Sequence, residues 1–424
     1  MSVVKKIFLL CLVVIATKEV QGQAARSPFT TFGIGDPYGN ALIHNQGMGG
    51  TGVAQPQYWY LNNQNPALLV FNSLTVFEAG LVGERRTLRS KEGKDKNTGG
   101  NMSYLVTAFP IKVNKWTTSI GLMPYTNVDY EYINPKTIPL PNGESMTAEF
   151  REYGSGGLTQ LYWSNGVRIN KEMSVGLKAT YLFGPIENVY SNQLNQTDQI
   201  PYVIAISEKS SIHDFNFGVG YSFSRDSLWG KNYRFSIGAV YDLKTNLNAK
   251  RTDKFYRTTV AGDTIESTEL NNVHGQITVP GSLTLGFALS RGLKWSVSTE
   301  FAYQNWSNFS SINNDDNGLQ KSWRAALGGE ITPDPLALGS YLKRLTYRIG
   351  ASVEQYPFLA NGNSVKDYGI NFGLSLPAGR SNLNLACKVG KRGNKEQNIL
   401  EENYLKIYFG ITFNDQWFIK RKFD

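Results

Sequence analysis

Phe215-Asn216-Phe217-Gly218-Val219-Gly220-Tyr221-Ser222-Phe223 alternates without a break: every second side chain is large and apolar, and Asn, Gly, Gly and Ser stand between. Successive side chains of a strand point to opposite faces, so the stretch reads as a β-strand with one apolar face. The pattern returns in Tyr368-Gly369-Ile370-Asn371-Phe372-Gly373-Leu374-Ser375-Leu376 and in Leu405-Lys406-Ile407-Tyr408-Phe409-Gly410-Ile411-Thr412-Phe413. Alternation alone fits a soluble sandwich and a membrane barrel equally, since both bury one face and wet the other. A secretion signal, the rhythm of the connections and aromatics at strand ends decide between them.

Lys5 and Lys6 precede the apolar run Ile7 to Ala16, and small residues suited to cleavage follow, so residues 1–22 read as a signal peptide. Leu10 stands before Cys11 where a lipoprotein signal needs a small residue. Cys387 then remains alone on the apolar face of Leu383 to Val389, a buried inert thiol rather than a nucleophile. The 424 residues are too many for one ordinary sandwich, and no helical period of ten or more residues follows the signal. One all-β, antiparallel transmembrane β-barrel of about fourteen strands is the economical reading. The formal charge of +9 suits anionic lipid headgroups, and no basic cluster interleaved with aromatics forms a nucleic-acid groove.

Residues 23–73 do not alternate and read as an N-terminal extension and plug, 74–413 as the barrel, and 414–424 as a periplasmic C-terminal tail. Gly47-Met48-Gly49-Gly50-Thr51-Gly52 satisfies the dinucleotide pattern G-x-G-x-x-G on paper. It lacks the strand before and the helix after that a phosphate cradle needs, so tight backbone packing in a plug is the better account. Strands are expected to begin near Leu74, Met102, Trp116, Thr147, Met173, His213, Tyr233, Ser282, Trp295, Ser322, Leu345, Asp367, Asn382 and Tyr404. Long and short connections alternate between them, the pattern of a barrel with long outer loops and short periplasmic turns, which puts both termini in the periplasm. Trp116 and Trp295 open strands at one rim, while Tyr181, Tyr241, Tyr303, Trp323 and Tyr368 fall at the other, as rings at a hydrocarbon–headgroup boundary do. The register turns Lys178, Arg234, Asp242, Glu300, Arg324, Glu330, Arg344, Arg348, Glu354, Lys388 and Lys406 inward. Each would cost about 2–4 kcal/mol facing lipid, so these residues mark the lumen, where pairing with one another and with the plug is the plain expectation.

Gly47 to Ala54 with Asn65-Pro66-Ala67 ahead of the first strand resembles the plug signature of the outer-membrane long-chain fatty-acid transporters of the FadL/TodX type. Ser27-Pro28-Phe29, Phe32 to Asp36, Gly154 to Leu158 and the ending Phe413 to Lys422 resemble a divergent branch found in Bacteroidota-type outer membranes. The resemblance covers nearly the whole mature chain. It implies a plugged fourteen-stranded barrel in the cell outer membrane that takes a hydrophobic small-molecule ligand at its outer loops and releases it sideways. The plug residues it marks are Gly47, Met48, Gly49, Gly50, Gly52, Asn65 and Pro66. The family's lateral opening depends on a strand kink. Pro124, which lacks a ladder donor, or Gly154, Gly156 and Gly157, which loosen the sheet, are the candidates, and the sequence leaves the choice open. About two dozen mature residues precede the glycine motif, so the N-terminus need not occupy the ligand pocket.

Two stretches read as outer-loop segments that are apolar without need, hence as ligand or partner contacts: Ile200, Tyr202, Val203, Ile204 and Ile206, and Tyr356, Phe358 and Leu359. The first reads equally as a strand continuing above the membrane. Two functions follow: passive transport of fatty-acid-like molecules, or an accessory barrel that scaffolds a larger secretion or barrel-assembly complex among the outer-membrane lipids. No enzyme, cofactor or metal is expected. Ser210-Ser211-Ile212-His213-Asp214 gathers triad residue types only in sequence, and neighbours on a strand point apart. Asn313 to Gly318 lacks the distal glutamate of a calcium loop. His44, His213 and His274 fall in plug or loop-edge positions.

Overall fold

The computed structural model describes residues 25–416, apart from 92, 140–144, 195–201, 229–231 and 313–317. The signal peptide, Ile200, the turn at 313–317 and the tail beyond 416 therefore lie outside the described residues. Nineteen strand segments run through the rest: β1 (Asp36–Pro37), β2 (Thr75–Arg89), β3 (Lys94–Lys112), β4 (Trp116–Pro124), β5 (Thr126–Pro139), β6 (Ser145–Gly156), β7 (Thr159–Arg168), β8 (Met173–Leu194), β9 (Tyr202–Leu228), β10 (Tyr233–Asp242), β11 (Thr245–Thr259), β12 (Thr264–Val279), β13 (Ser282–Arg291), β14 (Trp295–Asn305), β15 (Lys321–Ile331), β16 (Thr346–Ala360), β17 (Asn363–Ala378), β18 (Ser381–Gly393) and β19 (Glu401–Asp415).

β4 continues into β5, β6 into β7, β10 into β11 and β12 into β13, so these eight segments make four broken staves. With β2, β3, β8, β9 and β14 to β19 they form fourteen staves of one antiparallel sheet. β19 closes it on β2 in unbroken register from Glu401↔Arg89 to Asp415↔Thr75, which removes the open edges a membrane cannot tolerate. The alternation sorts the faces as expected: Phe215, Phe217 and Val219 are exposed on the outside, with Ile349, Phe372 and Ile407 in the same belt.

Several strands begin well before the residues where apolar alternation starts: β3 at Lys94, β9 at Tyr202 and β12 at Thr264, against expected starts at Met102, His213 and Ser282. Alternation reports where one face meets hydrocarbon; backbone pairing continues beyond it into polar, exposed hairpins. Arg344 is a correction of another kind. It lies in an exposed helical turn, Tyr341–Arg344, in the connection between β15 and β16, and not in the lumen.

Candidate functional site: a filled lumen and a broken wall

The inner segment enters the barrel at both levels of the lumen. At the short-turn end its backbone touches the wall backbone directly. A Cβ on Gly238 would lie 1.9 Å from the Val53 carbonyl oxygen, one on Gly328 2.1 Å from that of Met48, and one on Gly350 2.2 Å from the Gly49 nitrogen. Only glycine admits such approach. Opposite these wall glycines, Gly49 and Gly50 take left-handed backbone (φ +70° and +79°) after the short helix Ile43–Gln46. Gly47 sits against Gly373 of β17, and Met48 is fully buried.

Wall side chains then satisfy the backbone donors the inner segment exposes. Glu300 accepts from the amides of Gly52 (3.0 Å) and Val53 (3.1 Å), and Glu78 from that of Leu61 (2.7 Å). Thr51 and Ser298 share a hydroxyl bond of 2.6 Å. Arg324 donates to the Gly49 carbonyl while pairing with Glu300 at 3.3 Å. Asn65 caps the 3-10 turn Pro66–Phe71, accepting from Ala67 N–H at 3.0 Å, and donates to the carbonyls of Val53 (2.8 Å) and Tyr221 (3.0 Å). Pro66 packs on Gly176 and Gly220. The residues marked from the sequence as the plug motif are thus brought together as a wedge fixed to eight or more staves. His44 is buried, stacked on Tyr60 at 4.6 Å, with neither ring nitrogen hydrogen-bonded; burial and the nearby Arg348 charge push its pKa well below the usual value.

At the long-strand end the filling is apolar. Phe29 and Ile34 join Leu182, Ile212, Leu247, Ile277, Trp306 and Phe358 in one buried cluster. Phe32 stacks on Phe358 with centroids 4.4 Å apart. The segment from Ala25 onward therefore occupies the upper lumen. It is held there by Ala25 N–H to Glu84 (2.7 Å), Ser27 hydroxyl to Glu402 (2.5 Å), and Ser27 N–H to the Asp129 carbonyl (2.8 Å). Ser27 caps the turn Pro28–Thr31, with Pro28 at its first position. That Ser-Pro pair was the one local signal in the sequence that a fixed element starts here.

The wall breaks where β4 gives way to β5 and β6 to β7. The amides of Tyr125 (2.8 Å) and Thr126 (3.1 Å) both donate to the Leu158 carbonyl, and Gly157 N–H donates to that of Pro185 (3.0 Å). Gly156 and Gly157 adopt φ +112° and +131°, and Cβ atoms there would strike the Pro185 and Thr126 carbonyls. Pro124 and these two glycines thus meet at one break, whereas Gly154 makes room for the Tyr130 ring. Above it β5 pairs with β6 and no longer with β3. β1 lies along its freed edge, with Asp36 opposite Asn127 and Pro37 opposite Thr126.

The two apolar stretches separate. Tyr202 to Ile206 open β9, paired with both β8 and β11. Tyr356 and Phe358 are not on an exposed loop. They lie in β16, buried against Phe29, Phe32 and Arg392, with Leu359 half-buried.

Between wedge and upper cluster lies a cavity of about 250 Å³. Its wall includes Lys178, Asp242, Arg324, Glu354, Lys388 and Lys406. Arg392 binds Asp36 (3.0 Å) and Asp367 (3.4 Å), Lys388 reaches Asp367 at 3.7 Å, and Lys406 reaches Glu84 at 3.4 Å. Tyr38 lines the same space, its phenol pushed up to about 12 by burial. The chemistry offered is charged and hydrogen-bonding. Ser210 to Asp214 fall within β9 and form no triad.

A family model described as BamG matches residues 3–424. No curated protein matches the chain. Among solved structures, the chain is similar to the Pseudomonas putida toluene transporter TodX, with 16% identity and a TM-score of 0.59 over 91% of this chain and 100% of that one. A Pseudomonas aeruginosa FadL homologue gives 10% identity and 0.56 over 90% and 100%. The CymD monoaromatic hydrocarbon channel gives 14% and 0.55 over 89% and 98%. At these identities the likeness is one of fold.

Proposed function

Since the chain belongs to the BamG family, we propose that it is an outer-membrane barrel closed by its own N-terminal segment, and that it serves as an accessory scaffold in a barrel-assembly or secretion complex. The observation that carries this reading is the double filling of the lumen. One half is closed backbone to backbone, the other by an apolar cluster whose space the chain's own Phe29, Ile34 and Phe358 occupy. The cavity left between is walled by ion pairs, so an apolar guest would gain little from burial there and would strip water from charged groups. The family name, which points toward a barrel-assembly complex, supports the same reading. The short-turn end and both termini face the periplasm, and the long hairpins face outward.

A second reading, passage of a hydrophobic small molecule through the wall, is favoured by the break at Pro124, Gly156 and Gly157 and by the fold shared with hydrocarbon channels. Extraction at native abundance in mild detergent, with mass spectrometry of lipids and proteins together, separates the two. The scaffold reading expects a stoichiometric protein partner and no enriched apolar compound. An enriched class of apolar compound with no stoichiometric partner would replace it with the carrier reading.

A further inference from the structure

Most short-end connections between β2 and β19 are tight: 113–115, 169–172, 292–294 and 379–380. The one between β15 and β16 runs through 332–345, as Thr332-Pro333-Asp334-Pro335-Leu336-Ala337-Leu338-Gly339-Ser340-Tyr341-Leu342-Lys343-Arg344-Leu345. It is ordered: Asp334 N–H donates to the Lys343 carbonyl (2.8 Å), closing the loop at its base, and the Asp334 carboxylate accepts from Leu336 N–H (3.2 Å). Yet Leu336 is 85% exposed, Leu338 102% and Leu342 66%. An ordered loop that holds three leucines in solvent gives up the burial that would ordinarily order it.

The loop's direction identifies what covers them. Tyr347 stands on the outer face of β16 beside Ile331 and two residues from Ile349, all exposed in the lipid-facing belt. Its hydroxyl donates to the Leu342 carbonyl (3.1 Å), while the Tyr341 hydroxyl donates to the Pro377 carbonyl at the end of β17 (3.0 Å). The helical turn is therefore pinned to the outside of the barrel at its lower rim and continues the lipid-facing surface. Lys343 and Arg344 follow at once, the Arg344 guanidinium 5.1 Å over the Tyr341 ring. Leucines on one side, a tyrosine at the boundary and two cations beside it are the makeup of a segment lying in a membrane interface.

We propose that residues 334–344 insert into the short-end leaflet, with Leu336, Leu338 and Leu342 among the acyl chains and Lys343 and Arg344 on the phosphates of anionic phospholipids. The barrel thereby carries a sidewise foot beneath β15 to β17 that the four tight turns lack, and it binds lipid asymmetrically around its circumference.

The test labels one cysteine at a time with an environment-sensitive dye in full chain reconstituted into phosphatidylethanolamine–phosphatidylglycerol nanodiscs, Cys11 and Cys387 being replaced by alanine. Leu338→Cys is compared with Ile349→Cys on the lipid belt and Lys171→Cys on a tight turn. The proposal expects a blue-shifted emission at 338, quenched by shallow spin-labelled lipids much as at 349, and a loss of that quenching when Lys343→Gln and Arg344→Gln are combined or phosphatidylglycerol is omitted. Emission at 338 matching 171 overturns it. So does a label that is wet in nanodiscs but shielded in native membranes, which would assign the leucines to a protein groove. Neither result bears on whether the lumen is closed.

Discussion

The two halves of the lumen are closed by opposite means. At the short-turn end the inner segment is fixed by backbone contact and by wall carboxylates that accept its amides; at the long-strand end it is fixed by interlocking side chains, Phe29, Phe32 and Phe358 among them. The first should be intolerant of a single methyl and dependent on particular charges. The second should behave as an ordinary core, forgiving of shape when volume is kept.

The largest effect is expected where the polar lock is removed. Glu300→Ala leaves Arg324 without its carboxylate and two buried amides without an acceptor, and should cost about 3–5 kcal/mol in denaturant unfolding. If it unfolds like the parent protein, the lower half is not held as described. Gly238→Ala, which adds one methyl where the Val53 carbonyl lies, should cost about 1–3 kcal/mol. Leu182→Met in the upper half, which changes shape but keeps volume, should cost under about 1.5 kcal/mol by the same assay. A tolerant Gly238 with an intolerant Leu182 would reverse the comparison.

The smallest effect is one of pH. His44 has a folded pKa below its ordinary value of 6.5, so unfolding takes up a proton. Its contribution is intact above about 6.5 and is lost as pH falls below it, through the lowered folded value. His44→Phe, which keeps a ring against Tyr60, should flatten that acid-side decline in unfolding midpoint. An unchanged pH profile would assign the decline to other groups.

The wall of this protein is legible in its sequence because period-two alternation and lumenal charge are local patterns; each strand announces itself. The glycine motif at Gly47 to Gly52 is legible as close packing for the same reason. The N-terminal strap is not, since it has no period, and its partners Glu84, Asp129, Arg392 and Glu402 read as unremarkable strand or loop charges until the fold brings them together. Tyr356 and Phe358 were hidden by Pro357 between them. The strand passes that proline only by a register shift between Gln355 and Leu359, the Pro357 carbonyl accepting instead from Gln320. The exposed Leu336 and Leu338 look in sequence like any short turn between strands.

Hydrogen exchange resolved along residues 27–72, on the full chain in nanodiscs, tests the closed lumen most directly. The amides of Ser27, Gly52, Val53 and Leu61, each bonded to the wall, should exchange as slowly as those of the barrel strands. Exchange of those four on the timescale of an exposed turn would mean the inner segment leaves the lumen freely, and the closed-barrel account would be wrong.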